Sequence, residues 1–147
     1  MTKKKSLDVS KLRLFQYEII HASIKSSLEF EPQLVTGHEF NVNLDLNFDE
    51  TNKVVLAKLD FTISTKSSKE VTEAKGEFEM LFAFHVENLE ELIERDEKDV
   101  LVVDAGLSNA IASVSYSTSR GILLTRFQGT ALSGFILPIV NPNELLK

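Results

Sequence analysis

The chain has 147 residues, of which 43% are hydrophobic, a length and composition that suit one domain with a real core. It has no cysteine, which excludes disulfides, thiolate metal sites and cysteine nucleophiles and makes a reducing cytoplasm the expected location. The net charge of -6 argues against a nucleic-acid-binding surface, because such surfaces neutralise phosphates with Lys and Arg. No apolar run approaches the roughly 20 residues that span a bilayer, so we expect no membrane insertion.

A basic N-terminal tail precedes the first predicted strand. Residues 1–11 include Lys3, Lys4 and Lys5 and are expected to be flexible and solvated. The apolar residues that follow fall into two alternating sets: Phe15, Tyr17 and Ile19, then Ala22, Ile24, Leu28 and Phe30. A strand keeps one alternation, so the change of phase predicts one long strand with a bulge or bend near Ile19 and Ile20, which breaks at Pro32.

Strict alternation of apolar and polar residues predicts three further strands. The apolar positions are Phe40, Val42, Leu44, Leu46 and Phe48 in the second, Val55, Ala57, Leu59, Phe61 and Ile63 in the third, and Phe78, Met80, Phe82 and Phe84 in the fourth. Polar turns at residues 49–52 and 66–70 separate them. Four strands joined by short turns predict an antiparallel sheet with one apolar and one polar face.

The acidic segment 87–99 interrupts this pattern. Leu89, Leu92 and Ile93 have the spacing of one or two helical turns, and Asn88 is placed to cap them. We interpret the segment as a solvated insertion that is anchored to the core by these few apolar residues. The alternative is a docking site for a basic partner.

Residues 104–128 allow a helix or a strand. The helix is indicated by residues three and four apart, namely Leu107, Ile111, Val114, Thr118, Ile122 and Thr125. A strand through residues 114–118 is the alternative, since β-branched and aromatic residues alternate with serines there. Asp104 as N-cap and Gly129 as the residue that ends the helix favour the helix.

Small side chains occupy the remaining surface of this helix, among them Ala110, Ser113, Ser117 and Gly121. Such side chains let a neighbouring backbone approach closely. We therefore predict that these four residues form an interface between copies of the chain, since isologous contacts are the commonest kind in soluble oligomers.

An apolar segment, residues 130–142, follows the helix. Glycine and prolines bracket it, so it cannot be a long helix and must be covered by something. The predicted fold class is α+β: a four-stranded antiparallel sheet, one long helix and an extended C-terminal segment, in a single domain over residues 1–147.

No pattern of residues indicates catalysis or a bound cofactor. His21, His38 and His85 lie in separate regions without metal-ligand spacing. No Gly-x-Ser-x-Gly turn, phosphate loop or paired-glycine fingerprint occurs. We therefore predict a protein that is not an enzyme and that uses no metal and no cofactor.

Large apolar residues outside the core stripes need a separate explanation. Leu34 and Val35 in a loop, Tyr116 and Phe127 on the helix and residues 135–140 in the tail exceed what the sheet and one helix need. Two interpretations are open: they close over one core, or they line a groove for extended or unfolded polypeptide.

The order of elements and several short motifs resemble the SecB export-chaperone family. The motifs are residues 134–141 (GFILPIVN) followed by Leu145 and Leu146, the strand residues 41–46 (NVNLDL) and residues 28–32 (LEFEP). The resemblance covers most of the chain from Leu12 onward. It implies a SecB-like fold and a cytoplasmic tetramer, a dimer of dimers, which holds unfolded preproteins in apolar grooves without ATP and passes them to the SecA motor for export.

The resemblance also implies roles for individual residues. By match to the family's groove, the residues that contact unfolded polypeptide are Leu34, Val35, His38, Phe40, Phe135 and Leu137. Glu31 matches the acidic surface that contacts SecA in the family, whereas Ser27 stands where an acid is expected.

Other functions fit parts of the same pattern. Within the family, a chaperone dedicated to a single unstable partner such as an antitoxin is favoured by the weakened acidic surface. From other classes, a hot-dog-like small-ligand or thioester-binding protein places its helix earlier, between the first strands. A scaffold module whose apolar tail serves only oligomer assembly is the third alternative.

Overall fold

Four long strands form the sheet on which the rest of the chain packs. In the computed structural model, which describes residues 6–146, they are β1 (Leu12–Lys25), β2 (Val35–Asp49), β3 (Val54–Ser67) and β4 (Lys75–Val86). The strand order is β1-β4-β3-β2, with every neighbouring pair antiparallel. The α+β fold class is therefore confirmed. β1 and β2 are not joined by a short turn as predicted, because they lie at opposite edges of the sheet in a Greek-key arrangement.

β1 bends where the sequence predicts it. Its pairing with β4 shifts register between Ile19 and His21, which confirms the bulge, and a second shift between Leu14 and Gln16 was not foreseen. The predicted extent is wrong at the far end. The strand stops at Lys25, and Leu28 lies fully exposed in the connection to β2.

The β2–β3–β4 meander has the two faces that the alternation predicts. The fully buried side of β3 consists of Val55, Ala57, Leu59, Phe61 and Ile63, and it lies beside Phe78, Met80, Phe82 and Phe84 of β4. The turn between β2 and β3 is stabilised by the Asp49 carboxylate, which accepts a hydrogen bond from the Asn52 backbone N–H at 3.1 Å.

The acidic segment contains more structure than the sequence indicates. A single turn, α1 (Leu89–Leu92), buries Leu89 and Leu92, as expected of apolar residues that anchor the segment, but the Asn88 side chain makes no capping hydrogen bond. A short hairpin follows, β5 (Ile93–Arg95) and β6 (Leu101–Val103). Arg95 ties it to the β2–β3 turn through Glu50, at 2.8 Å.

The long helix is present, and the alternative strand is not. α2 (Ala105–Arg126) is capped by Asp104, whose carboxylate accepts a hydrogen bond from the Leu107 backbone N–H at 3.1 Å. Gly129 takes a positive φ of 76° just beyond its end.

The buried face of α2 differs from the predicted stripe. Leu107 and Ile111 are buried, but the face then continues through Ser115, Ser119 and Leu123. The predicted members Val114 and Thr125 are exposed, and Thr118 and Ile122 are half-buried. Small residues therefore face the sheet, and they let the helix backbone approach β3 and β4 closely.

The C-terminal segment is anchored by leucines. Leu132 is fully buried, and Gly76 of β4 makes room for it, since a Cβ at that position would lie 2.6 Å from Leu132 Cδ1. Leu137 and Leu145 are also buried, the latter in a single turn, α3 (Pro142–Leu145). The Tyr116 hydroxyl donates to the Pro138 carbonyl at 2.6 Å and fixes the segment to α2.

The N-terminal tail is described only in part. Lys3, Lys4 and Lys5, the basic part of the predicted tail, lie outside the described residues. Residues 9–11 form a 3₁₀ turn capped by Asp8, and Leu7 packs against the core. Within residues 6–146, no helix is long and apolar enough to cross a membrane.

Candidate functional site

The apolar face of the sheet is wider than the helix that covers it. Four strands about 4.8 Å apart span roughly 14 Å between the outer strand axes, whereas a helix with its side chains is about 10–12 Å across. α2 lies over β3 and β4, whose inward residues are almost completely buried. Both edge strands therefore keep apolar side chains that α2 does not cover.

A half-buried apolar strip follows β2. It consists of the inward-facing residues Phe40, Val42, Leu44, Leu46 and Phe48, which we call the β2 strip. Their partners on the neighbouring strand β3 are fully buried. The inward face of the sheet therefore changes from buried to half-buried between β3 and β2. Phe135, Val140 and Leu146 of the C-terminal segment also pack at the margin of the core.

Aromatic rings connect the N-terminal end of the β2 strip, at Phe40, to the core. His38 stacks on Phe135 with ring centroids 4.7 Å apart, and Phe40 lies 6.1 Å from the same ring. Phe135 in turn lies 6.2 Å from Phe127, which is buried at the end of α2. These separations suit offset or tilted aromatic packing. His38, Phe40 and Phe135 thus form a half-buried aromatic cluster that packs against the buried Phe127.

The loop that carries Phe135 is positioned by local hydrogen bonds. The Thr130 hydroxyl donates to the Phe127 carbonyl at 2.7 Å and accepts the Leu132 N–H at 3.1 Å. The Phe135 N–H then donates to the Leu132 carbonyl at 3.1 Å. A buried leucine and consecutive turns therefore set the place of the ring.

Burial lowers the pKa of the His38 imidazole below its ordinary value of 6.5. The residue sits on the inward side of β2, opposite Thr65 of β3, and stacks on a phenylalanine. A neutral ring is favoured there, so the cluster presents an apolar surface at neutral pH.

The other residues predicted to bind polypeptide have different surroundings. Leu34 ends a 3₁₀ turn, and Val35 begins β2 opposite Ser67; both are half-buried. Leu137 is only 2% exposed, so the expectation that it contacts polypeptide does not fit its position beneath the chain's own surface. In the same segment Ile136 and Ile139 are 58% and 86% exposed.

The sequence pattern includes these two isoleucines within residues 135–140 but does not identify them as site residues, and it misses most of the β2 strip. An uninterrupted apolar run gives no indication of which side chains face outward. Alternation along β2 identifies its inward face, but it does not show that α2 is centred on β3 and β4.

β2 is also an edge strand. Within the described part of the chain, it pairs only with β3 on one side, so backbone N–H and C=O groups on its other side have no strand partner. An extended peptide can add to such an edge by main-chain hydrogen bonds, with its alternate side chains against the inward face.

The predicted interface residues lie in one line on the outward face of α2. Ala110 and Ser113 are half-buried, and Ser117 and Gly121 are exposed. A Cβ at Gly121 would meet no atom within 4 Å, so the space beside this residue is open. The opposite edge of the sheet has its own uncovered residues on β1, notably Phe15 and Tyr17.

The three histidines are spread over different strands, as the sequence indicates. His21 and His85 lie on the outer face, paired with Glu79 and Arg13 respectively, and His38 lies on the inner one. Among residues 6–146, no group of His, Asp and Glu side chains is arranged to hold a metal ion.

Comparison with known proteins identifies a solved structure with a similar fold. No family model matches the sequence, and no curated protein shows a significant match. Among solved structures, the chain is similar to the Mycobacterium tuberculosis Rv1957 SecB-like chaperone in complex with a ChAD peptide from the Rv1956 HigA1 antitoxin. The TM-score is 0.63 and the sequence identity 11%, over 90% of this chain and 93% of that chain.

The fold is SecB-like. A protein of unknown function from Streptococcus agalactiae also matches, with a TM-score of 0.44 and 13% identity over 87% of this chain and 97% of that one. At these identities the likeness concerns architecture alone, so the function is inferred from the site.

Proposed function

We propose that this protein is an ATP-independent molecular chaperone that binds unfolded polypeptide along the β2 strip and the aromatic cluster. One observation carries the proposal: an edge strand with five half-buried apolar side chains lies beside a half-buried aromatic cluster. No catalytic step is required of such a surface.

Binding would depend on many weak contacts. Completing the burial of one half-buried phenylalanine or leucine contributes roughly 1 kcal/mol, taken as about half of the value for full burial. Several such contacts along one extended chain act together, and the ordering of the bound chain offsets part of the gain. A surface of this kind accepts many sequences rather than one.

The unpaired edge of β2 adds contacts that do not depend on sequence. A client segment in extended conformation would donate to and accept from the β2 backbone. Alternate client side chains would then reach the β2 strip. Leu34, Val35, His38, Phe40 and Phe135 would form the end of the site where the strand begins.

Protein export is the cellular role that we propose first. In this role the protein acts in the cytoplasm as a tetramer, with Ala110, Ser113, Ser117 and Gly121 in the interface between copies. It delivers preproteins to SecA through a surface that includes Glu31, which is exposed in the β1–β2 connection. The architectural likeness to a SecB-like chaperone supports the chaperone activity on which this role depends.

A chaperone dedicated to one unstable partner is the second candidate. Rv1957, a structural neighbour, is in complex with a peptide from an antitoxin. The outer sheet face also favours this candidate, because Lys58 and Lys75 form ion pairs with Asp60 and Glu77 and so reduce its negative charge. An acidic docking surface for a motor protein is weakened accordingly.

The remaining alternatives lose support from the fold. A hot-dog-like thioester-binding protein has its helix between the first strands, whereas α2 follows all four long strands here. A scaffold whose apolar tail serves only assembly does not account for the uncovered residues of β2, which lie outside that tail.

Aggregation of an unfolded client tests the proposed function. Reduced, unfolded client protein is diluted into buffer without ATP, and light scattering is followed with and without the chaperone. We expect wild type to suppress scattering, and Phe135→Ser and Ile136→Ser to suppress it several-fold less per molecule. Val9→Ser is the matched control, because Val9 is 75% exposed and precedes β1 at the opposite edge of the sheet.

Two results would end the proposal. One is client aggregation that wild type does not change at any ratio. The other is equal loss of suppression in Val9→Ser and Phe135→Ser, which would mean that the β2 side has no special role.

A further inference from the structure

A pocket of about 260 Å³ lies between one flank of α2 and the C-terminal segment. Tyr116, Ser117 and Arg120 line it from the helix, and Val140, Pro142 and Leu145 form an apolar wall. Ligand pockets for drug-sized molecules hold about 300–1,000 Å³, so this one has room for a single small group.

Arg120 gives the pocket a positive charge. Among residues 6–146 its guanidinium has no ion pair and no hydrogen bond, whereas Arg95 is paired with Glu50. Arg120 lines the pocket beside Tyr116, one helical turn away on α2. Burial raises the pKa of the Tyr116 hydroxyl, and the charge of Arg120 opposes that rise.

The combination of one guanidinium and an apolar wall identifies the chemistry of the occupant. A guanidinium matches a carboxylate, which it can bind through two parallel hydrogen bonds. Phosphate groups are usually held by several cations or backbone N–H groups, and this pocket has one cation in a chain of net charge -6.

We infer that this pocket binds the free C-terminal residue of an unfolded polypeptide. The terminal carboxylate lies on Arg120, and an aliphatic side chain packs against Val140 and Leu145. Ile139 lies on the rim and is 86% exposed, so the preceding part of the bound chain leaves the pocket over an apolar surface. The inference rests on the proposed function, and it adds a preference for chain ends to the binding of extended segments.

The pocket adjoins the line of residues proposed for assembly through α2. Ser113 and Ser117 belong both to its wall and to the outward line proposed for the oligomer. Tyr116 and Arg120, four residues apart, lie on the side of the helix that faces the C-terminal segment. The experiment therefore uses the full chain in the assembly that it forms.

NMR titration of the ¹⁵N-labelled protein with N-acetyl-leucine and N-acetyl-leucine amide tests the pocket directly. We expect the free acid to shift the Ser117 and Arg120 resonances and to bind about tenfold more tightly than the amide, because a charge-assisted hydrogen bond is lost in the amide. Arg120→Gln removes this difference. Arg126→Gln, which removes a charge from the last turn of the same helix, leaves it unchanged.

A fluorescent decapeptide ending in leucine, as free acid and as amide, tests the polypeptide occupant. The free acid should bind several-fold more tightly to wild type and no more tightly to Arg120→Gln. Equal affinity of acid and amide in both titrations would overturn the inference while leaving the chaperone function standing.

The two proposals fail in different ways. If N-acetyl-leucine binds at Arg120 but neither peptide does, the pocket is a small-carboxylate site and the polypeptide occupant is overturned. If both peptides bind with the predicted difference but aggregation is not suppressed, the chain-end site stands and the chaperone function fails.

Discussion

His38 is the titratable residue of the aromatic cluster in the candidate site. The sequence contains it as one of three scattered histidines, and only the fold stacks it on Phe135 at 4.7 Å. Its contact could not be predicted, because Phe135 comes from a loop almost one hundred positions later in the chain.

The pH dependence of stability follows from the lowered pKa of His38. The unfolded chain binds a proton near pH 6.5, and the folded chain binds it only at lower pH. The contribution of neutral His38 is therefore complete above pH 6.5 and is lost as pH falls through the folded pKa. Denaturant unfolding between pH 5 and pH 8 should show wild type losing stability on acidification relative to His38→Phe.

His21→Phe is the matched control for this prediction, because His21 is exposed on the outer face of the sheet. If wild type and His38→Phe keep a constant difference in the free energy of unfolding across this range, the assigned burial of the imidazole is wrong.

At the scale of elements, strands were easier to predict than the face of the helix. Alternation fixes the inward side of β2, β3 and β4, since a strand has only two sides. On α2 the pattern favoured Val114 and Thr118, whereas Ser115 and Ser119 are buried, and within residues 6–146 their hydroxyls have no hydrogen-bond partner. Because α2 lies close to the sheet, only small side chains fit there. A pattern of hydrophobic residues contains no information about side-chain size.

The pairing of β1 with β4 was also beyond the sequence. Chain order suggests neighbours joined by turns, but the connection from residue 26 to residue 34 carries the chain to the other edge. The two bulges show why the phase of the apolar residues was nevertheless informative: each inserts one residue, and the alternation resumes on the other parity.

The loop after α2 should depend on Gly76. An alanine there would place Cβ 2.6 Å from Leu132 Cδ1, so the Leu132 side chain must move. The Phe135 N–H donates to the Leu132 carbonyl, so a shift of Leu132 would also displace Phe135. We expect Gly76→Ala to cost about 1–3 kcal/mol of stability, as overpacking usually does. It should also weaken client binding.

Gly121→Ala provides the comparison, since a Cβ at that exposed helical position meets nothing within 4 Å. Alanine is the better helix former by about 0.5–1 kcal/mol, so this variant should be slightly more stable than wild type. Both free energies come from urea unfolding. A Gly76→Ala protein as stable as wild type would show that Leu132 does not anchor the loop.

At the scale of the whole molecule, the mismatch between one helix and four strands explains the candidate site. α2 covers the central pair, the C-terminal segment covers part of the β2 side, and the edge strands keep uncovered apolar side chains. The sequence predicted a surplus of apolar residues and a SecB-like arrangement, and the structure confirms the arrangement. The sequence located part of this surplus in residues 135–140, but the exposure of Ile136 and Ile139 and the uncovered side of β2 required the three-dimensional packing.

Hydrogen exchange of the backbone amides in the presence of an unfolded client tests this account most directly. If client chains bind to the β2 edge, amides of residues 35–48 and 133–140 should exchange more slowly when the client is bound, while those of the β5–β6 hairpin should not change. Protection confined to the outer sheet face or to the hairpin, or absent from β2, would contradict the claim that the uncovered edge of the sheet is the binding site.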